Sequence, residues 1–211
     1  MAQAGQSHGK LFPHPKDPDE ALTVLIEGNR RHQEGKVELR DHSPAGEDRV
    51  SRQKPFAAII SCADSRVSPT LIFDVERGNL FSSKIAGNVI DAGTLGSTEF
   101  AIKVLGVRLV MVLGHSNCGA VTAAIEVANG AASFPPDEYG AIGDLVDRIV
   151  PPIRGIDPGQ RTPTHCIAVN ARAQADDIAS RGPIVRQAIA DQQIDVVAAV
   201  YDIETGKVSL I

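Results

Sequence analysis

Two short apolar runs without polar interruption constrain the fold of this chain more than any other feature of its sequence. They are residues 56–60, Phe-Ala-Ala-Ile-Ile, and residues 109–113, Leu-Val-Met-Val-Leu. Continuous apolar runs of this length are typical of strands buried on both faces, as in parallel sheets covered by helices. We therefore predict an α/β fold with a mostly parallel sheet that contains both runs.

Helical and strand patterns alternate around these runs, which supports a sheet flanked by helices. Further strands are predicted at residues 80–85 and 195–201, and a Glu-Thr-Gly turn leads into a short antiparallel edge strand at 208–211. Residues 40–52 and 130–139 are predicted as loops. Helices are predicted where apolar spacing is helical and Gly or Pro signals follow, at 17–35, 68–74, 94–105, 119–129, 141–150, 164–181 and 184–192.

The length of the chain predicts one domain. With 211 residues, we expect a single α/β domain at 19–211, preceded by a flexible N-terminal segment at 1–18. Its 43% hydrophobic and 22% charged residues are typical of a globular protein in water.

Composition also argues against several partners. The net charge is −5, without a basic face or run, and the chain has no Trp and only two Tyr, which argues against a nucleic-acid partner. No apolar stretch approaches the roughly 20 residues that cross a bilayer, so we expect no membrane partner. Residues 1–18 lack the apolar centre of a signal peptide. We therefore expect a cytoplasmic protein.

Chemically active side chains directly follow both apolar runs. The first is followed by Cys62-Ala63-Asp64-Ser65-Arg66, and the second by Gly114-His115-Ser116-Asn117-Cys118-Gly119. Ligands of open α/β sheets bind at the carboxyl ends of strands. If the two strands are neighbours, these two segments face each other across one crevice.

Three of these residues form a candidate zinc site. His115 and Cys118 are three positions apart at a strand-to-helix turn, and Cys62 would add a third ligand from the other segment. Two sulfurs and one nitrogen suit zinc, and three protein ligands leave a fourth position for water. A structural zinc site would fill that position with another Cys or His, and none lies nearby in the sequence. We therefore predict a catalytic zinc ion.

Other interpretations of these residue types remain possible. An isolated buried cysteine is usually a small apolar side chain, and we prefer that interpretation for Cys166, within a predicted helix. Asp64 and Arg66 alone could form an ordinary ion pair of little energetic consequence. Beside an open metal position the same pair can do more.

The two motifs together resemble the β-class carbonic anhydrases. Cys-Ala-Asp-Ser-Arg-Val is followed about fifty residues later by His-Ser-Asn-Cys-Gly, and the similarity runs from about Ala21 to the C-terminus. The resemblance implies the sheet order 2-1-3-4 with an edge strand. It implies zinc on Cys62, His115 and Cys118.

The resemblance also implies a catalytic dyad of Asp64 and Arg66, together with a substrate pocket. Gln53 matches the family's pocket glutamine, Phe81 an apolar pocket position, and the backbone amide of Gly119 a contact to bound anions. The family's basic unit is a dimer with pockets at the interface, so we expect a homodimer or a dimer of dimers.

Two departures from the family pattern affect this interpretation. Lys84 occupies a position where many members have Arg, and Ile59 occupies the Trp position of one subgroup. Those residues help to form a non-catalytic bicarbonate site there, so we predict the permanently open, non-allosteric type. Phe100 occupies a pocket position where Tyr is common, which should adjust binding rather than abolish it.

The resemblance predicts reversible hydration of carbon dioxide to bicarbonate and a proton through zinc-bound hydroxide. Asp64 would orient the hydroxide, and Arg66 would keep Asp64 ionised and off the metal. Three alternatives stay open. The same site could hydrolyse carbon disulfide or carbonyl sulfide. In a non-enzymatic binding protein, Asp64 could occupy the fourth coordination position of zinc. Cys62 and Cys118 could instead form a redox switch.

Overall fold

A five-stranded sheet organises residues 14–40 and 53–211, which are the residues described by the computed structural model. Its strands lie in the order β2-β1-β3-β4-β5. The first four are parallel and β5 is antiparallel to β4. This confirms the predicted fold class and sheet order. The strands are β1 (Ala57–Ser61), β2 (Leu80–Lys84), β3 (Leu109–His115), β4 (Asp195–Tyr201) and β5 (Val208–Leu210).

Helices connect the strands and cover both faces of the sheet. Asp17 and Asp91 cap the helices that begin at Pro18 and Ala92, and their carboxylates accept hydrogen bonds from the N–H groups of Glu20 and Thr94 at 2.8 and 2.7 Å. Short 3₁₀ turns lie at Ala86–Asn88 and Pro158–Gln160, and a π-helical turn at Ala101–Leu105 continues α3. The α-helices are α1 (Pro18–Gln33), α2 (Pro69–Ile72), α3 (Ala92–Phe100), α4 (Gly119–Ala128), α5 (Pro136–Tyr139), α6 (Ile142–Asp147), α7 (Val150–Arg154), α8 (Pro163–Arg181) and α9 (Pro183–Ala190).

Strand β3 shows why the sequence contains a continuous apolar run. Leu109, Met111 and Leu113 belong to the core cluster that includes Leu25 and other apolar residues of α1. Val110 and Val112 point to the other face and belong to the cluster formed with α8 and α9. Because both faces are covered by helices, every side chain of β3 is buried.

The structure corrects the prediction for the segment between α4 and α8. The predicted loop at 130–139 contains helix α5, and the predicted helix at 141–150 ends at Asp147 as α6. Pro151 and Pro152 do not stop a helix, because both lie in the first turn of α7. Proline has no N–H group, but the first turn of a helix has no intrahelical acceptor for one, so proline is tolerated there.

Two predicted segments lie outside the described residues. These are most of the N-terminal segment, at 1–13, and most of the loop predicted at 40–52. The domain division at residue 18 therefore stays a prediction. Within 14–40 and 53–211, the search for a helix with the length and apolar character needed to cross a bilayer found none.

Candidate metal centre

The carboxyl ends of β1 and β3 bring the three predicted ligands together. The strands are parallel neighbours, with Ser61 paired to Leu113, so Cys62 and His115 lie at the same edge of the sheet. Cys118 immediately precedes α4. The candidate ligand atoms of Cys62, His115 and Cys118 all lie within 4.8 Å of one another, and all three residues are buried. The arrangement could hold one metal ion.

The turn between β3 and α4 is fixed by its own residues and by the end of β4. Asn117 adopts a left-handed backbone conformation with φ of +58°, which asparagine tolerates better than most residues. The N–H group of Ser116 donates to the carbonyl of Tyr201 at 2.9 Å. The hydroxyl of Ser116 accepts a hydrogen bond from the N–H group of Ile203 at 2.9 Å. These contacts set the position of His115 and Cys118 relative to the sheet.

The imidazole of His115 has one ring nitrogen engaged and the other available. Its Nδ1 lies 2.9 Å from the carbonyl oxygen of Ser116, which can only accept, so Nδ1 carries the proton. In the neutral ring, Nε2 then presents a lone pair. Within the described residues this atom is buried and has no hydrogen-bond partner. Because an unsatisfied buried polar atom is costly, a metal ion at Nε2 fits the site.

The two cysteine side chains influence each other's ionisation. The neighbouring Cys118 thiol and His115 imidazole, together with the N–H groups of Asp64 and Gly87, lower the pKa of Cys62. The hydrogen bond with Cys62 and burial raise the pKa of Cys118. The N–H groups of Val121 and Ala120, at the start of α4, act in the opposite direction on Cys118. A cation between the sulfurs would stabilise both of them as thiolates.

Asp64 and Arg66 form a bidentate ion pair beside the candidate ligands. The Arg66 Nε donates to Asp64 Oδ1 at 2.9 Å and its Nη2 donates to Oδ2 at 2.7 Å. These hydrogen bonds hold the pKa of Asp64 well below its usual range and raise the pKa of Arg66. The Asp64 Oδ2 also lies 4.0 Å from Nε2 of His115. An ionised carboxylate is therefore restrained next to the position that a metal would occupy.

The structure separates the other predicted site residues into three places. Gly119 is the exposed first residue of α4, directly after Cys118. Phe81 and Phe100 form an aromatic pair with ring centroids 6.3 Å apart, and Phe81 packs on the cluster of α8 and α9. Gln53 is exposed, and in the described part of the chain no hydrogen bond joins it to any of the three candidate metal ligands.

Three residues near the site escaped the sequence analysis. The N–H group of Gly87 donates to the sulfur of Cys62 at 3.4 Å, and Asn170 donates to the carbonyl of Gly87 at 2.9 Å. Gln174 accepts from the N–H group of Ile90 at 2.8 Å. Asn170 and Gln174 lie four positions apart on α8, among apolar neighbours. That spacing is the sequence signal that could have identified them.

Comparison with known proteins agrees with this geometry. The family model described as "Carbonic anhydrase" matches residues 57–208. Carbonic anhydrase 2 of Mycobacterium tuberculosis is 33% identical over 206 residues, which cover 92% of this chain and 93% of the relative. The carbonic anhydrase of Mycolicibacterium smegmatis is 32% identical over 199 residues, with coverage of 92% and 93%.

Solved structures show the same fold. The β-carbonic anhydrase CcaA superposes with a TM-score of 0.68 at 24% identity, covering 90% of this chain and 94% of that protein. A tetrameric β-carbonic anhydrase of the ascomycete Sordaria macrospora gives a TM-score of 0.66 at 21% identity, with coverage of 90% and 93%. The sheet order and the Cys/His/Cys group define an enzyme of the β-class carbonic anhydrase type. The chain belongs to the carbonic anhydrase family.

Proposed function

We propose that this enzyme hydrates carbon dioxide reversibly to bicarbonate and a proton, with one zinc ion on Cys62, His115 and Cys118. The observation that carries the proposal is the buried Nε2 of His115, which has no hydrogen-bond partner among the residues that the structure describes. It lies beside two buried sulfurs, with all three ligand atoms within 4.8 Å of one another. Thiolate and imidazole ligands favour zinc over magnesium or calcium, which prefer oxygen ligands. Three protein ligands leave one position for water.

Zinc on these three ligands, with one position open, would lower the pKa of a coordinated water to about 7 and so supply hydroxide at neutral pH. The chain's own residues position this chemistry. The hydrogen bond from Nδ1 to the Ser116 carbonyl fixes the orientation of the His115 ring. Hydroxide adds to the carbon of carbon dioxide to form bicarbonate, and the proton released from water passes to buffer.

Asp64 and Arg66 would orient the attacking group. Asp64 stays ionised because Arg66 lowers the pKa of its carboxyl, so it can accept a hydrogen bond from the attacking hydroxyl group. That bond turns a lone pair of the oxygen toward the carbon of the substrate. The bidentate contact with Arg66 keeps the carboxylate from moving into the open position itself, where it would block the reaction.

The proposed pocket combines an anion contact with an apolar wall. The N–H group of Gly119 lies in the first turn of α4, where N–H groups attract anions such as bicarbonate. Phe81 and Phe100 would form the apolar wall, and Gln53 would be its polar contact.

A second copy of the chain would complete the pocket. Phe100 is 47% exposed and Val104, one turn further along, is 61% exposed. Such apolar surface is often covered in an assembly, and the structurally similar β-carbonic anhydrase of Sordaria macrospora is tetrameric. We therefore propose a homodimer or a dimer of dimers, which sedimentation equilibrium can test. A monomer at micromolar concentration would contradict it.

We also propose a permanently open site in the cytoplasm. The ammonium of Lys84 donates to the carbonyls of Asp64 and Val67 at 3.2 and 2.7 Å, so it is engaged within this subunit. This supports a site that does not use Lys84 to bind a regulatory anion.

Cys62, Cys118 and Cys166 are free thiols, and a reducing compartment keeps such thiols available for metal.

A pair of cysteine variants tests the metal assignment. Cys118→Ser should lose zinc and hydration activity, because a serine hydroxyl is a poor zinc ligand. Cys166→Ser is the matched control, since Cys166 is equally buried in the cluster beneath the site and is not among the three candidate ligands. It should keep one zinc per chain by mass spectrometry. Equal zinc content in both variants would contradict the assignment.

A further inference from the structure

Two buried amide side chains on α8 connect this helix to the segment after β2. Asn170 is fully buried and Gln174 is 6% exposed. Buried amides are costly unless their polar atoms are hydrogen-bonded. Here the Gln174 Nε2 donates to Asn170 Oδ1 at 3.3 Å and to the carbonyl of Arg148 at 3.3 Å. The two side chains therefore form one connected group.

This group fixes the backbone of the segment at both of its ends. The Asn170 Nδ2 donates to the Gly87 carbonyl at 2.9 Å, and Gln174 Oε1 accepts from the Ile90 N–H group at 2.8 Å. Between these anchors, Gly87 and Asn88 both adopt left-handed conformations, with φ of +67° and +49°. Glycine and asparagine tolerate this conformation better than most residues, and the hydrogen bonds from α8 hold the turn in place.

The same segment contacts a candidate metal ligand. The N–H group of Gly87 donates to the Cys62 sulfur at 3.4 Å. The carbonyl of the same residue, on the next peptide group, accepts from Asn170. Asn170 therefore restrains the backbone that carries this N–H group, and Gln174 restrains it further along at Ile90. Groups that hydrogen-bond to metal ligands orient them and tune their metal affinity.

We propose that Asn170 and Gln174 are positioning residues that hold the Gly87 N–H group against the Cys62 sulfur and thereby strengthen zinc binding. This inference rests on the zinc function proposed above. Neither residue touches the metal position. Their effect passes through the backbone of the 86–90 segment to one sulfur.

Zinc affinity, measured by competition with a chromophoric chelator in a reducing buffer, tests the proposal without any activity assay. Asn170→Leu removes the donor to Gly87 at similar size, and it should weaken zinc binding about 10- to 100-fold. Gln174→Met keeps the shape of its side chain but loses the anchor to Ile90 and the hydrogen bond that supports Asn170. It should weaken binding in the same direction by less.

Asn29→Leu is the matched control. Asn29 is also a buried asparagine, 2% exposed, with hydrogen bonds to the backbone of Ile72, Gly206 and Val208. It lies on α1, outside the group around Cys62. Asn29→Leu should lower the melting temperature of the metal-free protein and leave zinc affinity unchanged. If Asn29→Leu loses as much zinc affinity as Asn170→Leu, the loss in both variants would be due to general destabilisation, and the proposal would be overturned.

Cobalt substitution adds a readout that general destabilisation does not move. The sulfur-to-cobalt charge-transfer band should shift in Asn170→Leu and Gln174→Met and stay unchanged in Asn29→Leu. If Asn170→Leu does not fold, Gln174→Met decides. Wild-type affinity and an unshifted band in folded Gln174→Met would overturn the proposal, whereas a wild-type chain that fails to bind zinc would overturn the proposed function itself.

Discussion

Gly87→Ala is the substitution whose cost the structure defines best. The backbone of Gly87 is left-handed, and an added Cβ would lie 2.4 Å from Cδ1 of the buried Ile149 and 3.3 Å from the Cβ of Ala120. A left-handed alanine costs about 1–2 kcal/mol, and overpacking a core costs about 1–3 kcal/mol. We therefore expect a loss of about 2–5 kcal/mol in the free energy of unfolding.

A second glycine separates the two contributions to this cost. Gly106 is also left-handed, with φ of +72°, but a Cβ there would meet no atom of residues 14–40 or 53–211 within 4 Å. Gly106→Ala should therefore cost only the backbone term, about 1–2 kcal/mol. The difference between the two variants isolates the clash with Ile149.

Thermal unfolding of the metal-free proteins at one fixed protein concentration measures both variants, because bound zinc would itself raise the melting temperature. For a chain of this size, each kcal/mol lowers the melting temperature by about 2–4 °C, so Gly87→Ala should melt about 4–20 °C below wild type. Its zinc affinity should also fall, because the displaced N–H group no longer faces Cys62. A Gly87→Ala protein that melts at or above Gly106→Ala would refute the argument from packing.

Three further substitutions test separate parts of the structure. Arg66→Met frees Asp64 from its two side-chain hydrogen bonds. The rate of carbon dioxide hydration, measured by stopped flow, should fall about 100-fold while zinc stays bound. An unchanged rate would contradict the proposed role of the Asp64–Arg66 pair. Asp91→Ala removes the cap of α3 and should cost about 1 kcal/mol in urea unfolding at neutral pH. The Thr94 N–H group lowers the pKa of Asp91 in the folded protein. The difference in unfolding free energy between wild type and Asp91→Ala should therefore be complete above the pKa of this carboxyl in the unfolded chain, and should vanish as the pH falls through its pKa in the folded protein. A difference that persists in acid would contradict this role of Asp91. Lys84→Met should cost about 1 kcal/mol by losing its bonds to two carbonyls, and an unchanged urea midpoint would contradict that.

The central strands β1 and β3 could be predicted because strands buried on both faces have continuous apolar runs in the sequence. Every residue of β1 and β3 is buried, so their apolar runs are continuous. The juxtaposition of Cys62 with His115 and Cys118 followed from two local motifs and the rule that neighbouring parallel strands end at one edge. The structure brings their ligand atoms within 4.8 Å.

Long-range contacts and proline positions were harder to predict. Pro151 and Pro152 begin a helix here, and the local sequence alone does not separate a proline that ends one helix from a proline that starts the next. The contact between Asn170 and Gly87 joins residues 83 positions apart. It depends on how α8 packs against the segment after β2, and no local pattern specifies that packing.

The family pattern assigned some pocket residues that do not belong to the apolar cluster of the two cysteine ligands. Phe81 and Phe100 lie against the α8 and α9 side of the sheet, while Cys62 and Cys118 belong to a different cluster. Such residues would share a pocket across a subunit interface, which is a property of an assembly. Their role therefore stays a prediction that the oligomer measurement above will test.

Carbon dioxide hydration by the zinc-loaded wild-type chain tests the central claim most directly. Stopped flow with a pH indicator, from about pH 6.5 to about pH 9, gives the rate across the range in which the essential groups titrate, and mass spectrometry gives the zinc content. We predict fast hydration with one zinc per chain, including at the low end of this range, because Arg66 keeps Asp64 off the metal. Full zinc occupancy without hydration at any pH would contradict the account, and sulfide release from carbonyl sulfide or carbon disulfide would then identify the alternative substrate.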